Sequence, residues 1–251
     1  MRIASLLAML AMLATPSVAS ADVAPKPVRT SDAPCKGCRS VVPGPGRPER
    51  AAPLLVLLHG DAGPGPTALV DAWERHALPR GVALLALQCP AALGCKGSWW
   101  QWNGAPSWLT AQVDAFAASH PIDRARVWLA GWSGGASYMG HRSAELQRSF
   151  AALVYHGGGM PPPVACEAEA PRNGIASVYF LVGDANPLHG LALRLRQHHE
   201  NCKDTMVWKL LPGADHAAEW RGLEANGGAI VPWLLAQRPL TATAPAVPGE
   251  P

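Results

Sequence analysis

Apolar residues fall along this chain in short continuous runs, separated by segments with the wider spacing of amphipathic helices. Leu54–Leu58 (LLVLL) ends at His59-Gly60, and Val82–Leu87, Val127–Ala130, Ala151–Tyr155, Val178–Val182 and Met206–Leu211 follow. Runs this short, apolar on both faces, predict strands buried within a parallel sheet. The intervening segments predict helices: one capped by Thr67 and running to Leu78, one over Ser107–Ser119 stopped by Pro121, one reaching about Arg148, then Leu188–His199 and Glu219–Leu235. In the last of these, Gly227-Gly228 and Pro232 are expected to break or bend the helix. Strands alternating with helices argue for an α/β fold, a mostly parallel central sheet flanked by helices on both faces.

Residues 51–237 carry this alternation. Residues 22–50, rich in Pro, Gly, Arg and Ser, read as an irregular lead-in in which only Val41-Val42 looks strand-like, and residues 238–251 read as a disordered Pro/Ala/Thr tail. At the N-terminus, Met1-Arg2 precedes an apolar run, Ile3–Leu13, too short to cross a bilayer, and Ala19-Ser20-Ala21 offers a cleavage site before Asp22. Residues 1–21 are therefore expected to be a signal peptide, and the mature protein to be secreted or periplasmic without a stable membrane anchor.

The cysteines change the picture in the same direction. All six follow the cleavage site, and an even number in an oxidising compartment points to disulfides. The local pairs Cys35–Cys38 and Cys89–Cys95 leave Cys166–Cys202 by elimination. A zinc site is not expected, because the C-x-x-C at Cys35 has no second pair at metal-site spacing. The length of 251 residues with 49% hydrophobic content suits one core, and a net charge of +3 without a basic run lacks the footprint of a nucleic-acid binder. No nucleotide-binding glycine fingerprint is present, so no cofactor is expected, and the protein is expected to be a monomer.

Candidate chemistry collects where the strands end. His59, Ser133, His156, Asp184 and His216 each follow a predicted strand, and in parallel sheets the carboxyl ends of the strands carry the chemistry. Gly131-Trp132-Ser133-Gly134-Gly135 joins a strand to a helix as a nucleophile elbow would, aiming the Ser133 hydroxyl and the Gly134 N–H at one space. A serine needs a base to remove its proton as it attacks, and His216, in PGADHAAEW after the last strand, is the candidate. Asp184, after the preceding strand, is the candidate acid to orient the imidazole and stabilise its charged form. Asp215, adjacent to the base in sequence, reads as a loop residue. His156 reads as structural, His59 as shaping the loop that it begins, and His189, His198 and His199 as solvated helix positions.

On the elbow, the His59-Gly60 pair and the order Ser133, acid, His216, residues 50–237 resemble secreted serine esterases of the α/β-hydrolase superfamily, near the polyhydroxybutyrate depolymerase and feruloyl esterase-like group. The resemblance implies an α/β-hydrolase fold, an acyl-enzyme mechanism and hydrolysis of small or polymeric carboxylic esters. It also implies an oxyanion hole made by the N–H of Asp61 or Ala62 and that of Gly134. One position departs from the pattern. Many relatives place the acid three residues after the glycine ending its strand, and here, counted from Gly183, that residue is Asn186, directly before Pro187. Either Asp184 reaches His216 from a shifted loop or Asn186 orients it as a neutral group; Asp184 is preferred because a carboxylate also stabilises the imidazolium.

Trp99, Trp100, Trp102 and Trp108, with Trp132 in the elbow, would line an aromatic cleft for a feruloyl group, a sugar ring or a polyester; alternatively they pack their long loop onto the domain. A peptidase or thioesterase with the same triad, and a binding protein on a degenerate hydrolase scaffold, are the competing functions.

Overall fold

The computed structural model describes residues 28–30, 33–44, 51–61, 63, 65–166 and 177–237. The expected signal peptide and C-terminal tail lie outside these residues, as does Ala62.

Each of the six apolar runs between Leu54 and Leu211 becomes a strand, and all but the last, at the edge of the sheet, bury both faces at once. In chain order the elements are β1 (Val28–Thr30), β2 (Arg39–Val42), β3 (Ala52–Leu58), α1 (Pro66–Ala77), β4 (Ala83–Leu87), α2 (Ser107–Ser119), β5 (Ile122–Trp132), α3 (Gly134–His141), α4 (Ser143–Leu146), β6 (Leu153–His156), β7 (Ser177–Gly183), α5 (His189–Asn201), β8 (Thr205–Leu211) and α6 (His216–Leu235). The eight strands form one sheet in the order β1-β2-β4-β3-β5-β6-β7-β8. From β4 to β8 all neighbours are parallel, while β1 and β2 add an antiparallel edge. The lead-in is thus more ordered than its composition implies. Arg39–Val41 pair with Leu84–Ala86, so the sheet continues into residues rich in turn formers.

Alternate side chains of each strand feed opposite cores. Leu54, Val56 and Leu58 pack with Leu109, Val113 and Phe116 of α2, Met139 of α3 and Leu195 of α5. Leu55 and Leu57 pack on the other face with Leu69, Val70 and Trp73 of α1 and with Leu223, Ile230 and Leu234 of α6. Leu54 through Leu58 are fully buried, and each such side chain contributes roughly 1.5–3 kcal/mol relative to exposure. β3 and β5 are therefore clamped from both sides, and the turns at their carboxyl ends start from a rigid base.

Two helices begin differently from expectation. α1 starts at Pro66, with Gly65 at the N-cap and Thr67 inside the helix, because a proline at the first position gives up no intrahelical hydrogen bond. α6 starts at His216, one turn before the predicted Glu219, because the Asp215 carboxylate accepts the Ala218 N–H at 2.7 Å and so caps it. It then runs 20 residues through Gly227-Gly228 and Pro232 without a break. The helix expected to reach Arg148 is divided at Arg142 into α3 and α4.

The cysteines pair Cys35–Cys38, Cys89–Cys95 and Cys166–Cys202, with Cα–Cα separations of 5.3, 5.8 and 5.4 Å. Among the described residues no helix is long and apolar enough to cross a membrane.

Candidate active site

β5 ends in the elbow. Ser133 has φ 52° and ψ −113°, a left-handed conformation that costs a non-glycine residue about 1–3 kcal/mol. The surroundings hold it there: its N–H donates to the His156 carbonyl at 2.9 Å, and its carbonyl accepts the Ser137 N–H at 2.9 Å. The flanking glycines follow from close approach. A methyl group at Gly131 would meet the Ala136 nitrogen at 2.6 Å, and one at Gly135 would meet the Leu58 carbonyl at 2.6 Å.

His216, the first residue of α6, lies over this turn with Nε2 2.8 Å from Ser133 Oγ. Its Nδ1 lies 2.9 Å from Oε2 of Glu219, one helical turn further on and fully buried. Residues three apart share a helix face, so the cap at Asp215 fixes both His216 and the carboxylate that meets it. With Nδ1–H donating to Glu219, Nε2 is left as the acceptor for the serine hydroxyl. Two further donors reach the same carboxylate: Gly183 N–H to Oε1 and Asn186 Nδ2 to Oε2, each at 2.5 Å. Three N–H groups converge on a group that accepts and does not donate, which makes burying it affordable.

Asp184, the expected partner of the ring, is elsewhere. It is exposed, and its Oδ1 accepts the Gly213 N–H at 2.6 Å, so it braces the turn between β8 and α6. The bend at Ala185 carries Asn186 inward instead. Asn186 Nδ2 also lies 3.2 Å from His216 Nδ1, but its two hydrogens face the Gly157 carbonyl (3.3 Å) and Glu219, and the ring nitrogen is itself a donor. Asn186 therefore contacts the ring and hydrogen-bonds the carboxylate. Asp215 is the helix cap described above. Glu219 escaped the sequence reading because α6 was begun at that residue; reading Asp215 as an N-cap brings His216 and Glu219 onto one face.

The ring is also held from its flat side. The Trp132 indole stacks on His216 with centroids 4.5 Å apart and planes 7° from parallel, and Trp220 meets Trp132 edge-on at 5.2 Å. Below them, His156 donates Nε2–H to the Glu219 carbonyl at 2.7 Å. Burial, opposed by that hydrogen bond and reinforced by the neighbouring His216, lowers the His156 pKa to about 4, so it is a neutral strut.

No family model and no curated protein matches the sequence. Solved structures do match. An S-formylglutathione hydrolase from Agrobacterium tumefaciens is 13% identical, with a TM-score of 0.59 over 80% of this chain and 89% of its own. A fluorophosphonate-binding serine hydrolase of Staphylococcus aureus is 12% identical, with a TM-score of 0.59 over 84% and 98%. A phospholipase/carboxylesterase from Dyadobacter fermentans is 17% identical, with a TM-score of 0.52 over 77% and 96%. The fold is that of the α/β-hydrolases.

Within this α/β-hydrolase fold, the loop after β3 passes directly beside the elbow. A methyl group at Gly60 would come within 3.1 Å of Ser133 Cβ. His59 anchors the loop from beneath: it is buried, Nδ1–H donates to the Gly60 carbonyl at 2.7 Å, and Nε2 accepts the Cys89 N–H at 3.1 Å. Burial lowers its pKa, opposed by the Gly60 hydrogen bond and by Asp61. Gly134 is the first residue of α3, and an N–H there has no acceptor within its own helix.

The tryptophan cluster serves packing more than an open cleft. Trp99 is fully buried and Trp102 nearly so. They pack with each other, with Trp108 and with Tyr138 at centroid distances of 5.4–6.1 Å. Trp102 Nε1 donates to the Leu93 carbonyl, and Tyr138 OH to that of Gly104, which ties the segment down. Only Trp100 of the four is exposed, at 43%. His199 also departs from its solvated assignment. It follows Ala192 and Leu195 on the inner face of α5, is fully buried, and meets Asp204 Oδ2 through Nδ1 at 2.8 Å.

Proposed function

We propose that this protein is a serine hydrolase that cleaves carboxylic esters by acyl transfer. The observation that carries the reading is the unbroken relay from Ser133 Oγ to His216 at 2.8 Å and from His216 to Glu219 at 2.9 Å. In the first step Ser133 Oγ attacks the ester carbonyl while His216 Nε2 takes its proton. Glu219 holds the ring in the tautomer that can accept that proton and stabilises the imidazolium that results. The tetrahedral oxyanion is met by the N–H of Gly134 and by that of Asp61 or Ala62. His216 then protonates the leaving alcohol, and in the second step it activates the water that releases the acid.

Small esters are the favoured substrates, because burial of Trp99 and Trp102 takes away most of the aromatic surface on which a feruloyl or polyester reading relied. The three disulfides and the leader-like N-terminus support action in the periplasm or outside the cell. A binding protein on a degenerate scaffold is disfavoured, since it would have no need of a strained serine within hydrogen-bonding reach of a histidine that is itself paired with a buried carboxylate.

Ser133→Ala tests the proposal. Turnover of short-chain p-nitrophenyl esters should fall to background, and a fluorophosphonate probe should label the wild type and fail to label the variant. Hydrolysis retained by the variant would remove Ser133 from the mechanism. Amide and thioester analogues of the same acyl group, assayed alongside, separate esterase from peptidase or thioesterase action.

A further inference from the structure

Beside the nucleophile stands a second carboxylate that the relay does not use. Asp61 packs its carboxyl group against Gly134, filling the space where any side chain at that residue would project. Its Oδ1 is buried and has no hydrogen-bond partner. No Lys, Arg or His among the described residues forms an ion pair with it. The histidine nearest in sequence cannot serve, since His59 is a neutral ring with both nitrogens engaged. Glu219, the other carboxylate of the site, is by contrast met by three donors.

An unmatched carboxylate next to Gly134 also has a chemical cost. Negative charge develops on the carbonyl oxygen at this point of the site, and a fixed charge of the same sign opposes it. A positive group on the bound substrate would act through its charge, cancelling the field that opposes the oxyanion. We propose that the site takes esters bearing a cationic ammonium group close to the scissile bond, with the Asp61 carboxylate as its receptor. The proposal rests on the acyl-transfer reading above and adds the substrate class to it. Because the field acts on the oxyanion, the preference is expressed in kcat/KM.

The test uses pairs of esters that differ only in a trimethylammonium group against a tert-butyl group, each rate corrected for that ester's own hydroxide-catalysed hydrolysis. One arm carries the charge on the alcohol: acetylcholine against 3,3-dimethylbutyl acetate. The other carries it on the acid: the p-nitrophenyl ester of trimethylglycine against that of 3,3-dimethylbutyric acid. The full mature protein should prefer the cationic member by about ten- to a hundredfold in one arm, and that arm identifies which side of the ester faces Asp61. In Asp61→Asn the ratio should fall to near one. A wild-type ratio near one in both arms overturns the proposal without any variant, and so does a preference that survives Asp61→Asn. If none of the esters is turned over and Ser133 is not labelled by a neutral fluorophosphonate, the acyl-transfer reading itself has failed, and the substrate class falls with it.

Discussion

Glu219 and Asn186 share one small volume beneath His216, and their identities divide the work there. Glu219→Gln leaves an amide where the developing imidazolium needs a charge, so kcat on p-nitrophenyl acetate should fall by about three to four orders of magnitude. Asp184→Asn, which alters only the brace on Gly213, should stay within a few-fold of wild type. The double variant Glu219→Gln, Asn186→Asp moves the carboxylate to the residue whose side chain already lies 3.2 Å from Nδ1. It should recover about tenfold or more in kcat over Glu219→Gln alone, and no recovery would show that only the helical site can serve the ring. That exchange also explains what was readable in the residues. Ser133 and His216 stood out as candidates through motif and strand order, and the fold brings their side chains within 2.8 Å of each other. The acid did not, because the usual position holds an amide and the carboxylate lies one turn inside a helix.

At the scale of elements, α6 begins where it does because of one side chain. Asp215→Ala removes the bond to the Ala218 N–H and should cost about 1 kcal/mol, seen as a fall of about 2–4 °C in Tm for a domain of this size. Because His216 is the first residue after the cap, the same change should lower kcat while leaving the helix beyond Glu219 in place. Turnover compared with far-ultraviolet circular dichroism checks this. The strands were legible because their apolar runs match the burial that they find. Of the antiparallel edge only Val41-Val42 was readable; its extension back to Arg39 is set by pairing with β4 and lies among prolines and glycines. The continuity of α6 through Gly227-Gly228 was equally hidden, because tertiary packing of Leu223, Ile230 and Leu234 overrides local propensity.

For the whole molecule, the buried neutral histidines make stability depend on pH in one direction. In the unfolded chain His156 takes up a proton near its ordinary value of 6.5, whereas in the fold burial delays this to about 4. The native state is therefore at full strength above pH 6.5 and loses stability as pH falls from 6.5 toward 4, by roughly 3 kcal/mol from this residue. Burial lowers the His59 and His76 pKa values as well and so adds to the same trend. Urea midpoints should drop steadily between pH 7 and pH 4.5, and His156→Gln, which keeps a donor for the Glu219 carbonyl, should flatten that slope.

The placement of His216 and Glu219 on a single turn of α6 has a mechanical result. In an arrangement that takes the two from separate loops, either gap can open as the domain breathes; here the helix itself rules out one of them. Slackening of the connection after β8 would carry imidazole and carboxylate away together, still coupled, and would part them only from the alcohol. Heat or denaturant at sub-melting doses should then silence turnover through a single loosened joint, and activity should return whole as soon as that joint closes.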